Sequence, residues 1–163
     1  MRAYTRKSKY KNKAYVKAVP PSRLVRYHMG ELHKKFKYCV SLSTKAKCQV
    51  RDNALESARQ LGNRRLENKL GVESYYFRIR VYPHHALREN KMLVGAGADR
   101  MQTGMQKAFG KVIGIAVQLK KNQPVFEIFV NKSGLEAAKD AMKGANHRLP
   151  FSSTIEIKEV KKE

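Results

Sequence analysis

The residues whose types and spacing invite chemistry lie between Gly95 and Lys111, where Gly95, Gly97, Gly104 and Gly110 are set among Arg100, Met101, Gln102, Thr103, Lys107 and Phe109. Closely spaced glycines let backbone amides approach phosphate oxygens, so nucleotide-binding loops are the first chemistry to test. The dinucleotide fingerprint requires a third small residue after Gly95 and Gly97, and Arg100 stands at that position. A P-loop fails twice: five residues separate Gly104 from Gly110 where four are needed, and Val112 replaces the magnesium-binding Ser or Thr. His84 and His85 are adjacent, with no Cys or carboxylate triplet to complete a metal site, and read as turn or RNA-facing residues. Glu89 and Asp99 have the chemistry of an acid and a base, but Arg88, Lys91 and Arg100 flank them and ion pairing is the simpler reading. Cys39 and Cys48 belong to no C-x-x-C or Cys/His grouping, so neither zinc nor a disulfide framework is indicated, and a reduced, cytoplasmic protein is expected. No Ser/His/Asp or Cys/His arrangement stands out; no catalytic residue, metal or cofactor is expected.

With those motifs removed, 95–111 is a long connection that carries no acid between Asp99 and Glu127. Connections of this length inside a compact domain are usually functional or disordered. Doubled back on itself, the segment would project roughly 25 Å at extended spacing. Such a finger can enter an RNA-lined cavity, with Arg100, Lys107 and Lys111 on phosphates and Phe109 stacking or anchoring. The alternative is a short helix capped by Asp99, with Met101, Met105 and Ala108 packed on the core; Gly104 would weaken it by roughly 1 kcal/mol.

The elements that must hold this segment follow from periodicity. Phe36, Tyr38, Val40 and Leu42 alternate with polar or small residues as in a half-buried strand. Asp52 to Leu70 reads as a helix, capped by Asn53 with Glu56 three residues on, striped by Ala54, Leu55, Ala58, Leu61 and Leu66, and stopped by Gly71. Tyr75 to Tyr82 reads as a strand with Phe77, Ile79 and Val81 on one face and Tyr76, Arg78, Arg80 and Tyr82 on the other, a face both basic and aromatic. Val112–Leu119 and Val125–Val130 suggest a hairpin around Lys120 to Gln123, with Pro124 at a strand start. A second helix is announced by the capping box Ser133-Gly134-Leu135-Glu136, with Leu135, Ala138, Ala141 and Met142 as its stripe and Gly144 as its stop. Ser153 to Val160 closes the chain as a strand. The sum is an α+β domain of mixed or antiparallel strands and two helices, without internal repeats.

A chain of 163 residues hides roughly 70% of its unfolded surface, enough for one modest core. The 35 Lys and Arg against 13 Asp and Glu leave a net charge of +22, which calls for a polyanion, nucleic acid first among them. No apolar run reaches membrane-spanning length and no basic amphipathic helix dominates, so no membrane partner is expected. Residues 1–51 hold 15 Lys or Arg against one acid, Glu31, and Tyr4, Tyr10, Tyr15 and Tyr27 are interleaved among the cations. Residues 1–30 are therefore expected to form an extended basic arm ordered by RNA, leaving 31–163 as the globular domain; a solvated tail without a role is the plainer alternative. The N-terminus lacks the apolar stretch of a secretory signal, and it passes into Pro20 and Pro21 without the amphipathic periodicity of an organellar transit peptide.

The run RVYPHHALRENKML from Arg80 to Leu93, continued by GAGADRMQTGM from Gly95 to Met105 and by Ala108-Phe109-Gly110-Lys111, closely resembles the large-subunit ribosomal protein family called ten-e. That family is the archaeal and eukaryotic counterpart of bacterial large-subunit protein sixteen. The similarity extends over nearly the whole chain, through Tyr10 to Tyr15 in the arm and Ala54 to Arg59 in the first helix. The resemblance implies an α/β-hammerhead-like fold bound to large-subunit rRNA, near 5S rRNA, the A-site and P-site tRNA acceptor arms and neighbouring ribosomal proteins. It implies that the loop matching Gly97 to Lys111 points toward the peptidyl-transferase centre, placing tRNA and helping to complete subunit assembly, while the rRNA performs the chemistry. The chain ends soon after its last strand, without the longer C-terminal extension of the eukaryotic form, so an archaeal type is expected.

The expected rRNA contacts are Arg2, Arg6, Lys7, Lys9, Lys11, Lys13, Lys17, Arg23 and Arg26 in the arm, with Lys34, Lys35, Arg78, Arg80, Arg88 and Lys91 in the domain. The expected tRNA-facing residues are Gly97, Arg100, Met101, Gln102, Thr103, Gly104, Lys107, Phe109 and Lys111. No homo-oligomer is expected. Two other classes share parts of the pattern. A DNA-compacting protein would account for the charge but would not prefer structured RNA to duplex DNA. An RNA-acting enzyme would account for charge and loop and would lose turnover when Asp99 or His85 is changed.

Overall fold

The computed structural model describes residues 2–8, 10–98, 104, 105 and 108–160. Among them the chain forms strands β1 (Tyr4–Thr5), β2 (His28–Gly30), β3 (Tyr38–Thr44) and β4 (Cys48–Arg51), helix α1 (Asp52–Leu70), strands β5 (Tyr75–Ile79), β6 (His85–Glu89), β7 (Lys111–Leu119) and β8 (Pro124–Val130), helix α2 (Leu135–Asn146) and strand β9 (Ser153–Glu159). Two antiparallel sheets result, in the orders β1-β6-β7-β4 and β2-β5-β8-β3-β9. The architecture is α+β, as the periodicities require.

The core lies where the helices meet the five-stranded sheet. Tyr75, Phe77, Phe126, Ile128, Leu42 and Val40 from the sheet join Leu55, Leu66 and Met142 from the helices with essentially no exposure. Each such side chain contributes about 1.5–3 kcal/mol by leaving water. Gly62 lets α1 approach: the ring of Phe77 and Cβ of Ala145 lie within 4 Å of where its Cβ would stand. The helix ends as expected at Gly71, which has φ 75° and donates its N–H to the carbonyl of Glu67 at 3.1 Å. Its start differs. Asn53 is not the cap; the Asp52 carboxylate instead accepts the N–H groups of Asn53 at 2.9 Å and Arg23 at 3.0 Å, because the arm crosses this end of the helix and supplies a donor.

The second helix also departs from expectation at both ends. No side chain caps it, so the box from Ser133 to Glu136 does not form; a 3-10 turn over Lys132–Gly134 leads in, closed by Gly134 N–H on the Asn131 carbonyl at 3.0 Å. Gly144 does not stop the helix but lies buried inside it, where a Cβ would sit 2.6 Å from the Arg65 guanidinium carbon. That close approach lets Arg65 Nη1 donate to the Asp140 carbonyl and carboxylate at 3.0 and 3.1 Å, tying α1 to α2.

Two strand expectations are corrected. Val112–Leu119 and Val125–Val130 do not form a hairpin: β7 pairs with β4 and β6, whereas β8 pairs with β3 and β5. The turn between them carries the chain from one sheet to the other, with Asn122 at φ 59° and its N–H on the Thr44 carbonyl at 2.8 Å. Likewise the expected strand from Tyr75 to Tyr82 stops at Ile79; Arg80 to His84 cross between sheets with Val81 and Pro83 buried, and β6 begins at His85. The arm touches the body repeatedly. β1 adds to β6, β2 adds to β5, and Ala14, Val16, Leu24 and Met29 are buried.

Candidate nucleic-acid interface

The connection from Glu89 to Lys111 springs from adjacent strands, since these two residues face each other at the end of the β6–β7 ladder. Its base is a knot of rings and cations. Arg88 stacks its guanidinium 4.0 Å from the Phe109 ring centroid and donates from Nη1 to the Phe109 carbonyl at 2.7 Å. Tyr15 of the arm packs against Phe109, 5.2 Å between centroids with the rings tilted by 56°. Gly110 is held at φ 79°, and a Cβ there would lie 2.7 Å from the Glu89 carbonyl carbon, so only glycine fits. Asn90 Nδ2 reaches the Met105 sulfur at 3.4 Å. Beyond the knot Met92, Leu93, Val94, Gly97, Gly104 and Met105 are exposed. Arg100, Met101, Gln102, Thr103 and Lys107, and with them the alternative of a helix capped by Asp99, lie outside the described residues, as does Lys9.

The arm reaches the same knot. Arg2 pairs with Glu89 at 3.1 Å, Ala3 accepts the Arg88 N–H at 2.9 Å, and the Lys7 carbonyl lies 3.0 Å from His84 Nε2. Tyr4 meets His85 edge to face at 5.5 Å. His85 is half-buried; burial, then His84 and Arg6, lowers its pKa, so the ring is neutral near pH 7. Arg6, Lys13, Lys17, Arg23, Arg26 and Lys91 present exposed side chains, and Lys13 sits over the Tyr10 ring at 5.5 Å. Lys111 is exposed at the start of β7.

A second cluster occupies the outward face of the five-stranded sheet, opposite the helices. Alternation along β5 and β8 places Tyr76, Arg78, Glu127 and Phe129 there. His28, Tyr76 and Phe129 stack in series, at 6.0 and 5.4 Å between centroids. Arg78 donates to Glu127 at 2.6 Å and Arg80 lies 3.5 Å from the same carboxylate, so two expected rRNA contacts share one internal acid. Tyr82, expected on this face, stacks instead on Tyr27 at 5.5 Å. Burial pushes the Cys39 thiol on this face up to about 11, which rules it out as a thiolate nucleophile near neutrality. Lys34 and Lys35 stand beside the face, Lys34 donating to the Glu73 carbonyl at 3.3 Å.

Sequence reasoning placed the loop and the basic strand face but missed their partners. It did not name His28, Lys37 or Phe129 as site residues, nor see Tyr15 and Phe109 as one joint. Period-two alternation already put Phe129 beside Glu127 on one face of its strand; what was missing was that β8 neighbours β5.

A strongly basic α+β domain, its cations gathered with aromatic rings on an arm, a loop base and a sheet face, defines a nucleic-acid-associated structural protein. Among the described residues no group of three or more His, Cys, Asp or Glu is placed to hold a metal, and no helix is long and apolar enough to cross a membrane. The sequence model of the family described as Ribosomal protein L16p/L10e matches residues 2–156. Relatives named "Large ribosomal subunit protein uL16" include that of Methanospirillum hungatei, 43% identical over 96% of this chain and 92% of the relative. Those of Hyperthermus butylicus (42%, over 94% and 86%) and Methanocella arvoryzae (45%, over 86% and 82%) are similar. The chain belongs to the L16p/L10e family of ribosomal proteins, in its archaeal type. Its role is structural and not enzymatic.

Proposed function

We propose that the chain is a constituent of the large ribosomal subunit in the cytoplasm, where its arm and basic sheet face bind large-subunit rRNA and its glycine-rich loop helps to position tRNA acceptor arms near the peptidyl-transferase centre. The same placement makes 5S rRNA and neighbouring ribosomal proteins its further partners and gives it a part in subunit assembly. The observation that carries this reading is the joining of the cationic arm to the base of loop 95–111 through Tyr15, Phe109, Arg88, Arg2 and Glu89. An arm held by rRNA would then aim the loop, because both ends of the loop are fixed where the arm is fixed. In this arrangement Arg88 serves the joint, and the exposed Arg6, Lys13, Lys17, Arg23 and Arg26 serve the phosphates.

The test is binding of the full chain to isolated large-subunit rRNA as salt is raised. Neutralising six to ten phosphates lowers affinity by about 10³–10⁵ between 50 and 200 mM salt; a flat response refutes the reading. Changing Arg100 and Lys107 together to Ala should impair tRNA placement or late assembly more than rRNA docking. Equal loss in both assays contradicts the division between arm and loop.

A further inference from the structure

Beside the stack of His28, Tyr76 and Phe129 runs an open groove of about 980 Å³, at the upper end of the range of small-molecule sites. Its lining combines the rings of Tyr76 and Phe129 with Lys34, Lys35 and Lys37 from the segment that joins β2 to β3, and among the described residues the one acid in the lining is Glu159. Lys35 and Lys37 make no ion pair with any described residue, and Lys34 meets a carbonyl and not a carboxylate. Three lysines thus face the groove against one acid among the described residues, none of them in an ion pair with a described residue, a surplus that matches an anion. Parallel rings matter as much. Tyr76 lies within 4° of the His28 plane and 23° of Phe129, with His28 Nδ1 2.7 Å from Tyr76 Oη, so the stack is braced in advance and a further flat ring extends it at little entropic cost.

We propose that this groove receives an unpaired RNA nucleotide, its base extending the ring stack at the Phe129 end and its flanking phosphates on Lys34, Lys35 and Lys37. The inference rests on the RNA-binding role proposed above and deepens it by separating two kinds of contact. The arm meets phosphates of folded rRNA, whereas the groove selects a base turned out of its helix. A base inside an A-form duplex cannot reach an aromatic wall, because its faces are already covered by its neighbours. An acidic peptide would satisfy the lysines but would leave the braced rings unmatched, so the nucleotide is the better fit.

The experiment uses the full chain and a single-stranded RNA pentamer carrying 2-aminopurine at its centre, with a blunt RNA duplex as competitor. Stacking should quench the 2-aminopurine, and excess duplex should displace the pentamer only weakly. Phe129→Leu keeps apolar bulk but removes the ring face, and should weaken the pentamer about tenfold while leaving the salt dependence of its binding unchanged. Changing Lys35 and Lys37 together to Ala should reduce the salt slope by about 1.4, the value for two phosphates of a single strand. If structured rRNA binds with a steep salt response while the pentamer is neither quenched nor sensitive to Phe129→Leu, the groove inference is overturned and the ribosomal role stands. If an acidic peptide displaces the pentamer more effectively than single-stranded RNA does, the groove is a protein-docking site and the inference is likewise overturned. If neither RNA binds, both readings fall together.

Discussion

The knot at the loop base and the outer face of the five-stranded sheet are built from the same materials, arginines, lysines and aromatic rings, and both tie their arginines inward, yet only the sheet face sets a row of lysines beside a groove. In the knot the cations are turned toward the protein: Arg88 lies 4.0 Å from the Phe109 centroid and bonds the Phe109 carbonyl, and Arg2 reaches Glu89. On the sheet face Arg78 and Arg80 are likewise tied to Glu127, and Arg78 lies 5.4 Å from the Phe129 centroid, whereas Lys34, Lys35 and Lys37 line a groove and form no ion pair with a described residue. The difference shows that basic and aromatic composition does not by itself mark a landing surface. What decides is whether the cation's partner lies within the chain.

That contrast can be broken first at Gly110. Replacing it with Ala places a Cβ 2.7 Å from the Glu89 carbonyl carbon at a φ of 79°, and the variant should lose about 3 kcal/mol of stability in urea unfolding. A loss below about 1 kcal/mol would show the joint to be pliable. Next, Arg88→Ala removes a ring contact and a carbonyl bond together, about 1–2 kcal/mol, and should speed hydrogen exchange around residues 108–112. Lys at this position should not restore protection, because an ammonium cannot stack flat on Phe109 while bonding its carbonyl. Unchanged exchange would mean that the loop ends are held by something other than Arg88.

A smaller effect sharpens the other side of the comparison. Glu127→Gln leaves Arg78 and Arg80 without their shared carboxylate and should cost about 1 kcal/mol. The same change should steepen the salt slope of RNA binding by roughly 1, while exchange at the loop base stays as before. An unaltered slope would place the sheet face away from RNA. The smallest effect concerns pH. The hydrogen bond from Arg59, aided by Gln60 and the Val25 N–H, holds Glu56 below the usual carboxylate range against the opposing effect of burial. Its contribution to stability is present above its unfolded value of about 4.3 and is lost as pH falls through the lower folded value. Cleavage near Val25 by an acid-active protease should therefore rise only as pH falls below about 4.3, and Glu56→Gln should abolish that pH dependence.

Much of the local structure was legible from neighbouring residues. The boundaries of α1 follow from a stripe of apolar residues ending at Gly71, and the alternation of Phe77 and Ile79 against Tyr76 and Arg78 fixed which face of β5 is wet. Caps were less legible, because a cap is a competition: the Asp52 carboxylate took a donor from Arg23, brought there by an arm distant in sequence. Pairing was least legible. Val112–Leu119 and Val125–Val130 satisfy every local requirement of a hairpin, but the turn at Asn122 passes them to different sheets.

By itself the sequence determined the charge, the family, the helices and the loop's existence, since each depends on composition or on short spacings that the backbone periods make visible. Only the tertiary structure decided which rings meet and which cations remain outward. Tyr15 joins Phe109, and His28 joins Tyr76 and Phe129, across separations that no periodicity links. The physical reason is that a cation's availability depends on its distance to an acid, a carbonyl or a ring elsewhere in the chain, and that distance is set by strand order and register.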